Sequence, residues 1–222
     1  MNKKSIFQSI GQKAKFAASK LVDIDGETKN NALKKSSELI LCSITELLKE
    51  NKKDIQIASY NKISLSMIDR LTLTKSSIEN IASNLEEIVK LEDPIGKVLS
   101  EWKRPNGLLI KKISVPIGVI GIIYESRPNV TVDASAISMK ASNAVILRGG
   151  KDSFHTSTKL YKIINEAFTS QGIPEHTAQM IPIADRSAVD EMLQLESYID
   201  IIIPRGGKEL IQKIKEKSTI PV

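Results

Sequence analysis

Cysteine, histidine and aromatic residues are all scarce in this sequence. One cysteine, Cys42, and two histidines occur in 222 residues. An intrachain disulfide framework and a Cys-rich zinc site are therefore excluded. His155 and His176 stand apart, neither with a second ligand at metal spacing, so no metal site is expected. No Ser–His–Asp order with a nucleophile elbow is present either. Cys42 sits in a helical pattern with nothing beside it in sequence to activate its thiol. It reads as a small buried or half-buried hydrophobe rather than a nucleophile.

Aromatics make up 4% of the chain, so the core must be built from aliphatic side chains. The same shortage argues against nucleic acid as a partner, because single-strand binding wants stacking aromatics among the cations. Net charge is +6, from 32 basic and 26 acidic residues. Lysines gather near both ends, at Lys3, Lys4, Lys13, Lys15 and Lys20 and at Lys208, Lys213, Lys215 and Lys217. They read as a solvated surface, and a moderate basic bias also suits an anionic small ligand. No apolar run approaches the roughly 18 residues of a membrane helix. The first twenty residues lack the apolar stretch and cleavage site of a secretory signal. A cytoplasmic protein without membrane contact is expected.

The stretch from Val115 to Lys151 organises what is present. An apolar run, Val115–Tyr124, meets the polar turn Glu125–Asn129 and then a helical pattern over Val132–Ala141. A second run, Ala144–Leu147, ends in Arg148-Gly149-Gly150-Lys151. That order predicts a βαβ unit of a parallel sheet, with ligands expected at the carboxyl ends of the strands. Helix Ser153–Ser170, a strand over Met180–Ile183, helix Arg186–Leu193 capped by Asp185, and a strand over Ile199–Ile203 follow. Pro204-Arg205-Gly206-Gly207-Lys208 and a helix to about Lys217 complete the alternation. A doubly wound α/β sheet is the predicted fold. Gly118 and Gly121 are expected where another backbone comes close.

Upstream, residues 1–92 read as helices. One is expected over Thr28–Asn51 and is broken by Glu50–Asp54. Another is expected from near Asp54, and a long one is capped by Thr74 or Ser76. Asp93-Pro94-Ile95-Gly96 punctuates the change to strand. Asn106-Gly107 between two short apolar runs predicts a β-hairpin over 100–114. Two strands alone are marginal, so the hairpin is expected to pack on another subunit or domain. Residues 1–99, 100–114 and 115–222 are thus read as a helical part, a bridging hairpin and a nucleotide-binding part.

Arg-Gly-Gly-Lys occurs twice, at 148–151 and 205–208, each time between a strand and a helix. Glycines there let backbone N–H groups reach a phosphate, the helix start adds positive potential, and the cations supply charge-assisted donors. Two ordinary strand-to-helix turns are the competing reading. No GxGxxG follows the first strand, so the standard dinucleotide fingerprint is missing. Arg127 and its neighbours suit an anionic or carbonyl group; a polar loop with an N-cap is the alternative there.

The segments DRLTL at 69–73, LEDPIGKV at 91–98, VPIGVIGIIYESRPNVTVDA at 115–134, NAVILRGGKDS at 143–153 and DIIIPRGG at 200–207 carry a resemblance. Together they resemble the γ-glutamyl phosphate reductase (glutamate-5-semialdehyde dehydrogenase) family of the aldehyde dehydrogenase superfamily. The resemblance runs from about residue 10 to the last residue. It implies an aldehyde-dehydrogenase-like, Rossmann-type parallel sheet with N-terminal helices and a protruding hairpin. The implied reaction is NADPH-dependent reduction of L-glutamyl 5-phosphate to L-glutamate 5-semialdehyde with release of phosphate, a step of proline biosynthesis. A homo-oligomer is implied as well. The family's nucleophilic cysteine, which forms a thioester, lies in a catalytic domain beyond Val222, and Cys42 does not match it. These residues therefore resemble the cofactor half and are expected to be inactive alone.

For NADP, the resemblance implies Glu125, Ser126 and Arg127, and Arg148, Gly149, Gly150 and Lys151 near the adenosine ribose or its 2′-phosphate. Pro204, Arg205, Gly206 and Gly207 are placed near the pyrophosphate. Ser126, Arg127 and Asn129 are the residues placed toward substrate. The alternative is a non-enzymatic nucleotide-binding or subunit-interaction module.

Overall fold

A computed structural model describes residues 3–185 and 187–222. Its heart is a parallel sheet of β3 (Val119–Tyr124), β4 (Ala144–Arg148), β5 (Ala178–Met180) and β6 (Ile201–Arg205), in the spatial order β5-β4-β3-β6. Every residue of β3 and β4 is buried, as expected of strands covered on both faces. Helices α6 (Asn129–Lys140), α7 (Phe154–Ser170) and α8 (Ser187–Met192) connect the strands, and α9 (Lys208–Lys217) follows β6. The chain goes outward from β3 to β5 and then returns to the other side of β3. The order therefore reverses between β3 and β6, which makes their carboxyl ends the switch point of the sheet.

The N-terminal helices cover both sides. Helix α1 (Lys3–Leu21) packs on β4 and α8. Helices α2 (Gly26–Cys42), α3 (Ile44–Tyr60) and α5 (Lys75–Lys90) pack with α6 and α7 on the other face. Short α4 (Leu65–Leu71) links α3 to α5, whose start is a capping box between Thr74 and Ser77. The aliphatic core predicted from composition is continuous from Phe7 and Leu33 through Ile146 to Ile214.

Several boundaries differ from expectation. The helix predicted over Thr28–Asn51 is two helices, split at Ser43. The polar run Glu50–Asp54 lies inside α3. Its polarity is buried and paired: Asn51 takes the Leu73 N–H and donates to Leu71 O. Asp54 accepts the N–H groups of His155 and Thr156. Cys42 is exposed at the end of α2, not buried. Strand β3 starts at Val119 because Pro116 and the positive φ of Gly118 precede it. Gly118 and Gly121 make room for the Asp200 carboxylate and for the Ile202 and Met192 side chains, rather than for a backbone.

Helix α6 begins earlier than expected, with Pro128 already helical at its N-cap. Strand β5 lies two residues upstream of its predicted place, because Pro182 cannot donate to the ladder. Strand β6 runs on to Arg205 and contains Pro204, tolerated because β6 is an edge strand. Asp185 does receive the Ser187 N–H at 2.7 Å, while Arg186 lies outside the described residues.

The predicted hairpin forms from β1 (Val98–Lys103) and β2 (Leu109–Ile113), antiparallel across the Asn106-Gly107 turn. All of β1 is exposed, Leu99 and Trp102 included.

Candidate dinucleotide cleft

Three strand ends build the site. β3 gives the turn Glu125–Asn129, β4 gives Arg148–Lys151, and β6 gives Pro204–Gly207. Because β3 lies between β4 and β6, its turn is flanked by both glycine pairs. Glycine leaves room at close contacts. A Cβ on Gly150 would stand 3.1 Å from the Ser126 backbone nitrogen. One on Gly149 would stand 2.8 Å from the Tyr124 phenol oxygen. One on Gly206 would stand 2.7 Å from the Glu125 carboxylate.

The turn itself is tightly wound. Ser126 is buried at φ 21°, in the left-handed region, and the Arg127 N–H returns to Glu125 O at 2.5 Å. Backbone strain of this kind persists only where the surroundings enforce it, and it concentrates at functional sites. Beneath the turn, Tyr124 is buried and hydrogen-bonded to Thr131 of α6 at 2.7 Å. Burial pushes its phenol up, so it stays neutral and holds α6 against the sheet.

Although their sequences match, the two Arg-Gly-Gly-Lys turns are not equivalent. Arg148 pairs in register with Ile123, whereas Arg205 pairs with Tyr124. Side chains alternate along β3, so the two arginines leave opposite faces of the sheet. Arg148 is buried, and its guanidinium donates to Gly149 O at 2.9 Å and to Ala184 O and Asp185 O at 3.1 Å. It clamps the β5–α8 loop. Arg205 is exposed on the α6 face, where its charge acts on Asp133. Burial raises the Asp133 carboxyl above its ordinary range, against the Asn129 amide hydrogen bond at 2.9 Å and Arg205. Asn129, expected toward substrate, thus has its amide on Asp133. Arg127 is exposed beside it.

Gly207 stands at the N-cap of α9, without a side-chain cap bond. Its N–H instead donates to Glu125 Oε2 at 3.0 Å. Nothing lies within 4 Å of a Cβ built on Gly207, so this helix start faces open space.

A cleft of about 320 Å³ opens beside these elements on the α8–α9 face. Glu125, Ser126, Gly150 and Lys151 line one end. Val189 of α8, Leu193 just after it, and Leu210 and Ile214 of α9 give it apolar walls. Lys213 and Lys217 of α9 also reach it, and Lys217 is paired with Asp190 at 2.8 Å. The walls and Lys213 were not anticipated from sequence. Their signal was there, in the spacing of Leu210, Lys213, Ile214 and Lys217 along one helical face. Cys42 is not among the cleft residues.

A parallel sheet with a cleft at its switch point is the architecture of a class of nucleotide-binding α/β proteins. Within that class, the sequence pattern of the aldehyde dehydrogenase family matches residues 12–221, and the chain belongs to that family. γ-Glutamyl phosphate reductases of Paramagnetospirillum magneticum and Brucella suis are each 44% identical to it over 218 residues, which is 98% of this chain and 52% of theirs. The crystal structure of γ-glutamyl phosphate reductase from Thermotoga maritima superposes with a TM-score of 0.95 at 37% identity. It matches 97% of this chain and 52% of that one. The Saccharomyces cerevisiae enzyme superposes at 0.91 with 31% identity, over 100% of this chain and 56% of its own. A probable aldehyde dehydrogenase from Listeria monocytogenes, 14% identical, shares the fold at 0.73, over 98% of this chain and 45% of its own. The chain thus spans about half the length of the relatives it matches. Among the described residues, no helix is long and apolar enough to cross a membrane.

Proposed function

We propose that these residues form the NADP-binding portion of a γ-glutamyl phosphate reductase. The whole protein would reduce L-glutamyl 5-phosphate to L-glutamate 5-semialdehyde, releasing phosphate. The observation that carries this reading is the cleft at the switch point, lined by the β3 turn, Gly150, Lys151 and α9, with the Gly207 N-cap of α9 tied to the β3 turn through Glu125. Similarity to the reductases along 98% of the chain supports the substrate assignment.

The residues present fit the cofactor. Backbone N–H groups at a helix start, with a glycine that leaves them accessible, suit a pyrophosphate. Apolar walls from α8 and α9 suit an adenine ring, and lysines at the cleft suit phosphate charge. When bound, NADPH supplies hydride. The chain's own residues bind and orient it: Gly206 and Gly207 hold phosphate, Gly149 and Gly150 support the β3 turn, and Lys151 reaches the adenosine end. Ser126 and Arg127 lie on the turn where cofactor and substrate carbonyl are proposed to meet.

The exposed hairpin, with Leu99 and Trp102 on its surface, is read as the bridge to another subunit or domain. Calorimetric titration with NADPH tests the cofactor reading. Saturable one-to-one binding is expected, and a flat titration with folded protein would remove the reading. The chain by itself is expected to show no glutamyl-phosphate-dependent NADPH oxidation.

A further inference from the structure

Resting on the cofactor reading above, we propose that Lys213 determines preference for a dinucleotide bearing a 2′-phosphate. Among the described residues, four cationic side chains line the cleft: Arg148, Lys151, Lys213 and Lys217. Two of them are committed elsewhere. The Arg148 guanidinium is buried and clamps Gly149, Ala184 and Asp185 through their carbonyls. Lys217 makes its ion pair with Asp190 across the mouth between α8 and α9. Lys151 and Lys213 have no ion pair among the described residues, although Glu209, one turn before Lys213, also borders the cleft.

These two lysines come from opposite flanks of β3, one behind β4 and the other behind β6. An anion between them would feel both. Lys213 is set six positions after the Gly207 N-cap, about 9 Å along the helix at the usual rise. That separation spans one ribose with its ester links on either side, so a pyrophosphate at Gly207 brings a 2′-phosphate within reach of Lys213. Leu210 lies one turn before Lys213 and supplies apolar surface for the base, with buried Ile214 behind it. A 2′-hydroxyl in the same place offers no charge for Lys213 to match.

The test is a pair of titrations, NADPH and NADH, on the whole 222-residue chain. Wild type is expected to favour NADPH. Lys213→Ala is expected to weaken NADPH by about tenfold, a typical loss for one charge-assisted phosphate contact, and to leave NADH unchanged. Lys213→Arg should keep the preference. Lys215→Ala, on the outer face of α9, should change neither titration. The probes 2′,5′-ADP and 5′-ADP should repeat the pattern, which a loss of folding would not. An unchanged NADPH-to-NADH ratio in Lys213→Ala overturns the inference and leaves the cofactor reading standing. Failure of wild type to bind either dinucleotide overturns both.

Discussion

The turns after β4 and β6 have the same four residues and opposite fates. After β4, the arginine is buried among carbonyls, Gly149 abuts a phenol and Gly150 abuts backbone. After β6, the arginine is exposed, and Gly207 has open space beside it. The arginine and glycines of the first turn are committed to internal packing, while Arg205 and Gly207 of the second are left open. A single residue of register against β3 separates them, because Arg148 lies opposite Ile123 and Arg205 opposite Tyr124. A repeated motif thus identifies a local backbone geometry. Which copy meets a ligand is settled by what covers it.

Substitutions made in pairs should expose that division. Arg148→Met removes a charged donor from three carbonyls and is expected to cost about 3–4 kcal/mol. That is a fall of roughly 6–16 °C in Tm by scanning calorimetry. Arg205→Met should stay within about 0.5 kcal/mol. Equal losses from the two would break the comparison. Gly149→Ala pushes a methyl group onto the buried Tyr124 ring, 2.8 Å from its oxygen, and is expected to cost about 1–3 kcal/mol. Gly207→Ala meets nothing within 4 Å and should be close to neutral in the same calorimetric scans.

Smaller effects test the ligand side. The Glu125 carboxylate takes the Gly207 N–H that a phosphate oxygen would take. Glu125→Gln removes the competing charge and is expected to tighten NADPH binding by about two- to fivefold, the scale of a carboxylate at a helix start. Weaker binding would instead make Glu125 a cofactor ligand. The smallest effect concerns Asp133. Burial raises its folded-state carboxyl above the ordinary value of 3.8, so ionised Asp133 opposes folding at neutral pH. That cost is present above the folded value and disappears as pH falls through it toward 3.8. Asp133→Asn should raise Tm at pH 7 by about 1–4 °C, a gain of up to about 1 kcal/mol. The gain should vanish in acid.

Much of this was legible before the structure. Unbroken apolar runs made β3 and β4 visible, since a strand buried on both faces has no polar alternation to hide it. Asn106-Gly107 marked the hairpin, and Thr74 marked the start of α5. The misreadings share a cause. Glu50–Asp54 reads as a break because Asn51 and Asp54 are polar. Their partners lie far off in the chain, Leu71 and Leu73 some 20 positions downstream and His155 and Thr156 more than a hundred. The hold of Arg148 on the β5–α8 loop is not legible locally, because its carbonyl partners there are distant in sequence. Lys213 reads as one of several surface lysines, because its place at the cleft depends on which other cations are already paired. Local pattern gives elements and turns; the commitment of each polar group is a tertiary property.

The proposal stands or falls on the start of α9, not the β4 turn, as the place of the dinucleotide pyrophosphate. Gly207→Pro tests it with one change. Its φ of −65° already suits proline, and a proline there removes an N–H that the helix itself does not use and that now meets Glu125 at 3.0 Å. NADPH titration of Gly207→Pro should show binding weakened at least about tenfold, with Tm within about 2 °C of wild type. Wild-type affinity in this variant would contradict the claim and return the phosphates to Arg148–Lys151.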